Sequence, residues 1–451
     1  VPDAADPAAT TADVSNVPLE AHDDASTTDA PTATPLIEPR DGVPEVIVDA
    51  DELPGVAEAL AAGHGPFAVD AERASGYRYG QRAYLVQIRR EGAGTFLIDP
   101  IGTGPLDVLQ PVLAEAEWIL HAATQDLPCL AEIGLRPTTL FDTELAGRLA
   151  GRPRVGLGPL VEQALGLALE KGHGAADWST RPLPEAWLRY AALDVEVLVE
   201  LRDALAEDLA AQGKLEWAHE EFAAIVAAPP PPARIDPWRR TSGLQRVRKP
   251  AQLAVVRELW TTRDRLAQKR DLSPGRLLPD ASIVAAAAAM PRTKDALQEL
   301  GPFKGRGARR YLNEWWSAIE RALAVDVADL PRSSLPPTGP PAPRAWVDRD
   351  PDAAARLSAA RHRLGIRAEQ LGLPVENLLT PDLVRRLCWE PPAPIDAHQV
   401  AARLRDGRAR AWQIAQTTDL LVECLTATAA TADSAAASDD APEAAAAAEP
   451  S

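Results

Sequence analysis

From residue 45 to 99, short apolar runs alternate with turn-prone stretches of Gly, Ser and Arg: EVIVDAD, FAVDAE, AYLVQIRR and GTFLIDP. Runs of this length, bounded in this way, predict strands. After Pro100 amphipathic helical periodicity takes over, interrupted by one further apolar run, WILH at 118–121. A sheet-first opening followed by helices predicts a mixed α/β layer architecture for 43–228. The segment from 241 to 326 reads instead as several short helices, broken at Pro274, Pro279, Pro291 and Gly301. Residues 355–425 echo that pattern at a period near 100 residues, most clearly in the parallel between LSPGRLLPD and LPVENLLTPD.

Proline marks the boundaries. The chain of 451 residues holds 42 prolines, about 9% against a usual ~5%. They concentrate at Pro229 to Pro232 and in LPRSSLPPTGPPAPR, Leu330 to Arg344. Such runs favour extended spacers that hold domains apart while letting them reorient. The expected organisation is therefore an acidic tail (1–42), an α/β unit (43–228), a linker (229–240), a helical unit (241–326), a second linker (327–350), a second helical unit (351–426) and an acidic Ala-rich tail (427–451).

Charge sharpens this division. The net −18 conceals −16 over 41–233, +9 over 234–326 and +1 over 327–426, with −7 and −5 on residues 1–40 and 427–451. An acidic unit is tethered to a basic one, and the basic one is the natural partner of a polyanion. No apolar run approaches the ~18–20 residues a bilayer span needs; the longest, ASIVAAAAAM at 281–290, is far too short. The opening VPDAADPAATTADVSN lacks the cationic start and apolar block of a secretory signal. Cys129, Cys388 and Cys424 form no CxxC pair, which points to a reducing, cytoplasmic setting and away from a disulfide framework or a structural zinc site.

The candidate chemistry lies in the acidic unit. Asp70 and Glu72 are two apart on a strand delivered by the apolar run Phe67 to Val69, so their side chains emerge on one face. Two carboxylates so placed can share one cation. Asp126 follows WILH at a strand-to-helix transition, where alone it would simply complement a helix dipole. Tyr190 and Asp194 are spaced i, i+4 within the helical LPEAWLRYAALDVEVL and share a face. Asp142 and Glu144 also form D-x-E, but they open the helical pattern ELAGRLAG and are better read as capping. His121 and His173 belong to no His/Cys cluster, which leaves them structural or substrate-contact roles. Gly156-Leu157-Gly158 lacks the third glycine of a dinucleotide loop, and no Walker A pattern occurs.

The ordered set D-x-E, D, then Y-x-x-x-D resembles the tyrosine-bearing branch of the DEDD 3′-5′ exonucleases, and within it the ribonuclease D family. The likeness extends through VDAE, YLVQI, LIDP, HAATQDL, LFDTELAGRLAG and DWSTRPLPEAWLRYAALDVEVL. It implies a ribonuclease H-like exonuclease domain and phosphodiester hydrolysis with two divalent cations, Mg²⁺ or Mn²⁺. It implies that Asp70, Glu72, Asp126 and Asp194 hold them and that Tyr190 orients the attacking water. Hard carboxylate oxygens suit both ions. It also implies RNA 3′ ends, precursor tRNA among them, as substrate. Residues 241–326 resemble an HRDC domain, a helical nucleic-acid-binding module, with Lys304, Arg306, Arg309 and Arg310 in GPFKGRGARRY as the expected phosphate contacts. Residues 351–426 read as a second, divergent HRDC-like domain without that cluster; Arg403, Arg405, Arg408 and Arg410 could replace it or serve intramolecular docking. Two other readings stay open: a DNA exonuclease acting on single strands, because carboxylates and metals do not distinguish sugars, and a nucleic-acid-binding adaptor without activity.

Overall fold

The computed structural model describes residues 33–170, 172–230, 232, 234–334 and 339–427. Of the acidic tails expected at 1–42 and 427–451, residues 1–32 and 428–451 lie outside the described residues. Among the described residues there are eight strands: β1 (Thr34–Leu36), β2 (Val46–Ile47), β3 (His64–Arg73), β4 (Ala83–Glu91), β5 (Gly94–Ile98), β6 (Trp118–Leu120), β7 (Leu140–Asp142) and β8 (Leu167–Leu169). Six form one mixed sheet in the order β2-β5-β4-β3-β6-β7, while β1 pairs with β8 in a separate parallel ribbon. The central strand β3 runs antiparallel to β4 and parallel to β6.

Alternation along β3 decides what each face does. Phe67, Val69 and Ala71 join the apolar core with Leu53, Val56 and Leu60 of the helix Leu53–Ala62. Ala68 faces the other way, packing with Ile119, Val195 and Leu198. Successive side chains of a strand alternate between faces, so Asp70 and Glu72 lie on the side of Ala68. That side is covered by the helix Glu185–Glu196, which packs across β3, β4 and β5.

Several boundaries differ from expectation. The run 45–51 contracts to Val46–Ile47, because the Asp49 side chain accepts from the Asp51 amide and turns the chain into a 3-10 segment, Ala50–Glu52. Residues 33–42, expected in the tail, are fastened down. β1 pairs in register with β8, and the Arg40 amide donates to Glu196 while its guanidinium donates to Glu200 at 2.6 Å. Both linkers are shorter than expected. Trp238 is buried in the core of the basic unit. Trp346 is buried against Trp389, ring centroids 4.9 Å apart, and its indole donates to the Pro341 carbonyl. Large aromatic surfaces at the ends of the proline runs drew those ends into neighbouring cores.

The basic unit is built on the helices Pro250–Arg270, Asp280–Ala289 and Leu312–Leu323 around Val256, Leu259, Ile283, Trp315 and Ile319. The last unit stacks Pro351–Gln370, Pro381–Trp389, Ala397–Asp406 and Ala411–Leu425. Among the described residues, no helix is long and apolar enough to cross a membrane.

Candidate active site

Asp70, Glu72 and Asp194 come together from the strand and the helix that covers it: one carboxylate oxygen from each lies within 4.8 Å of the others. They line a cleft of ≈ 220 Å³ together with Asp126, Tyr190 and His121. Residues 124 positions apart thus meet because a D-x-E strand face is roofed by one helix. On that helix the i, i+4 spacing sets the Tyr190 hydroxyl beside the Asp194 carboxylate at the rim of the same cleft.

Asp126 lies in the same cleft but outside that tight group of three. It stands at the junction between the 3-10 turn Ala123–Gln125 and the helix Leu127–Glu132. Its carboxylate approaches the Arg73 guanidinium at 3.4 Å. The turn carrying it is held by Asp142, which accepts from the amides of Ala122 and Ala123 while also capping its own helix through Glu144 and Leu145. The second D-x-E is therefore a cap, as its sequence context indicates, and also a brace for Asp126, which its context does not reveal.

The electrostatics follow from burial. Desolvation, with repulsion from Asp70, Asp194 and Asp126, pushes the Glu72 carboxyl up to about 10. Burial and the neighbouring Asp70 raise Asp126 to about 8. Burial, then the charge of Asp70, holds Asp194 well above the ordinary carboxylate range, and burial also raises Asp70. Tyr190 is raised by burial and by Asp194, so its phenol stays protonated at working pH. A buried acidic cluster of this kind demands positive charge, and a set of hard oxygen donors fits a divalent cation.

Four neighbours were not singled out from sequence or only partly so. Arg73 directly follows the D-x-E pair and reaches Asp126. Gln87 pairs with Asp70 across the antiparallel register and is fully buried, with neither amide atom hydrogen-bonded. Its polar side chain inside the apolar run AYLVQIRR was the available signal. His121 lines the cleft; its Nδ1 meets Thr143 Oγ1 at 2.9 Å, and burial pushes its imidazole down to about 4. His173 packs its ring against Trp187 and Tyr190. Lys304, Arg306, Arg309 and Arg310 are all exposed on the basic unit and take no part in lining the cleft. Lys304 is paired with Glu299 at 3.1 Å. Of the alternative arginines in the last unit, Arg410 pairs with Glu221 at 3.2 Å and so serves docking onto the α/β unit.

A mixed sheet with one helix closing a carboxylate cluster, followed by helical units, defines a 3′-5′ exonuclease with accessory domains. Family profiles agree: 44–210 matches a 3′-5′ exonuclease domain, 252–319 an HRDC domain, and 339–425 a 3′ to 5′ exonuclease C-terminal domain. The last match begins inside the expected second linker and carries a different description from HRDC. The chain belongs to the ribonuclease D family of 3′-5′ exoribonucleases. It is 33% identical over 313 residues to ribonuclease D of Gluconacetobacter diazotrophicus, covering 66% of this chain and 76% of the relative. It is 30% identical over 347 residues to that of a Jannaschia species, covering 73% and 85%. A crystal structure of a protein from Bifidobacterium adolescentis superposes with TM-score 0.81 at 37% identity, covering 87% of this chain and 99% of that one. Escherichia coli RNase D, described as an exoribonuclease involved in structured RNA processing, superposes with TM-score 0.61 at 26% identity, covering 80% and 97%. Enzymes of this family generally use divalent metal ions, and the acidic cluster is of a kind to take them.

Proposed function

We propose that this protein removes nucleotides one at a time from the 3′ ends of structured RNA in the cytoplasm, precursor tRNA included, and releases 5′-mononucleotides. The reading rests chiefly on the convergence of Asp70, Glu72 and Asp194 within 4.8 Å beside Tyr190. Asp70, Glu72, Asp126 and Asp194 would hold two Mg²⁺ or Mn²⁺ ions. Such ions lower the pKa of bound water and offset charge on the phosphoryl oxygens.

The chain's own groups supply positioning. Tyr190, kept as a neutral phenol, can hydrogen-bond a water molecule and fix its direction of approach without taking its proton. The phenol lies one helical turn from Asp194, on the same face of the helix. Asp142 holds the Asp126 turn, so the fourth carboxylate arrives with its backbone already set.

The test is the product pattern from 3′-labelled RNA and matched DNA strands, with and without Mg²⁺ or Mn²⁺. Mononucleotides from RNA, dependent on a divalent ion, are expected. Asp70→Asn and Asp194→Asn should each lower kcat by about 10³-fold or more, the scale for losing a preorganised electrostatic group. RNA affinity should be largely retained. Turnover retained in either variant would remove the assignment.

A further inference from the structure

The basic unit carries a second cationic surface, different from the GPFKGRGARRY cluster. From Pro237 to Arg257 the chain has six cations and no acid. Two 3-10 turns, Pro237–Arg240 and Leu244–Arg246, fold this stretch back on itself. Gly243 lies between them at φ +85°, a left-handed conformation that glycine adopts without strain. The fold shapes an open pocket of ≈ 500 Å³, with Arg239, Arg240, Ser242, Arg248 and Ser333 around Leu244 and Val247. One wall comes from the chain leaving the unit: the Ser333 hydroxyl donates to the Arg248 carbonyl, and the Arg332 carbonyl accepts from Arg239.

These cations differ in their commitments. Arg239 is occupied, paired with Asp236 at 2.9 Å and stacked on Trp238 at 4.2 Å, and so forms part of the frame. Arg240, Arg246, Arg248, Lys249 and Arg332 are exposed and form no ion pair among the described residues. The other acid bonded to this segment, Asp280, is itself satisfied by Arg263 and the Ser242 amide. Lysine and arginine side chains left unpaired around a concave surface are the arrangement that gathers phosphates without reading sequence. Lys249 is also the residue preceding the 21-residue helix Pro250–Arg270, whose amino end adds partial positive charge.

We propose that the surface formed by residues 239–249 with Arg332 is a principal site at which the basic unit grips the phosphate backbone of single-stranded RNA. This deepens the exoribonuclease reading and rests on it for the choice of RNA. The surface holds the body of the substrate while its 3′ end is in the catalytic cleft. In the GPFKGRGARRY cluster Lys304 has an acid of its own, which leaves three cations there against five on this surface.

The test compares two variants of the full chain, R240A/R246A/R248A/K249A and K304A/R306A/R309A/R310A. Binding of a labelled single-stranded oligouridylate is titrated over a range of salt concentration in EDTA, so that turnover plays no part. The first variant should bind about 10-fold to 100-fold more weakly, and its salt slope should fall by about 2–3, at ~0.7 per lost single-strand phosphate contact. The second should show the smaller change in both. Equal affinity and slope in the first variant and wild type would overturn the proposal and leave this cavity to an acidic protein segment. Arginine-specific chemical modification of the wild type gives an independent reading. RNA should shield Arg240 and Arg248, and modification unaffected by RNA would overturn the proposal as well. Wild-type turnover with Mg²⁺ is followed separately: RNA bound through this surface but never hydrolysed would sink the enzyme reading and leave this inference standing.

Discussion

The two helical units are built alike and attached differently. Each opens on a long helix of 21 or 20 residues, continues through a four-residue helical turn, and then places a third helix at Asp280 or Pro381. The basic unit keeps a core of its own and meets the α/β unit mainly through polar contacts on the loop after β3. Tyr79 donates to Asp264 at 3.1 Å, Arg82 to Asp271 at 2.9 Å, and Arg276 to the Gly76 carbonyl at 2.8 Å. The last unit instead shares one continuous apolar cluster with the α/β unit. There Trp412 stacks on Trp217 with centroids 4.8 Å apart and planes 9° from parallel, and its indole donates to Glu221. An interface of exposed hydrogen bonds is cheap to open, whereas an apolar core is not. One helical unit is thus an arm attached by a few polar contacts and the Tyr79 ring, and the other is a part of the catalytic body.

The sharpest way to break this contrast is Trp412→Ala. Emptying a buried indole site costs about 3–5 kcal/mol. The loss should appear in the transition that includes the α/β unit, read by calorimetry, while the basic unit's transition stays in place. If only the last unit melts earlier, the shared core is not cooperative.

A smaller effect separates the same two transitions by pH. In metal-free protein the cleft carboxyls are raised in the folded state, Asp126 to about 8 and Glu72 to about 10. A raised folded pKa contributes stability that is present below the unfolded value and is lost as pH climbs toward the folded one. Stability of the catalytic body should therefore fall by roughly 1.4 kcal/mol per pH unit for each of these carboxyls between about pH 5 and 8. The basic unit's transition should not follow. Mn²⁺ or Mg²⁺ should reverse the fall, with apparent affinity rising with pH as protons leave the ligands. A metal-free transition that sharpens and rises over that range would contradict the buried-acid account.

The smallest expected effect is at the attachment of that arm. Tyr79→Phe removes a hydroxyl bonded to the partly exposed Asp264 and should cost about 0.5–1 kcal/mol. Global unfolding should hardly shift, but amide exchange at the loop 74–82 should quicken. Unchanged exchange there would mean that the arm is held by something other than these polar contacts.

Much of the site was legible because its spacing is local. Two apart on a strand and four apart on a helix each place side chains on one face, so Asp70 with Glu72 and Tyr190 with Asp194 follow from periodicity alone. Asp126 was recognisable at its strand-to-helix junction. Its brace was not, since Asp142 reaches the Ala122 and Ala123 amides across parallel strands. Nor does any local rule reveal that Gln87 faces the side of the sheet that carries Asp70, a fact of strand register.

The chain's pattern by itself determined the strands and helices that carry the carboxylates, the division of charge between units, and the family. Tertiary structure decided where the proline-rich boundaries really end, because Trp238 and Trp346 are drawn into the cores of the units they adjoin. It also decided which helical unit is fused to the catalytic body. Residues 217 and 412 can meet only once the whole chain has folded, and nothing periodic in either neighbourhood announces the other. Periodicity specifies a face, and only packing supplies what the face is pressed against.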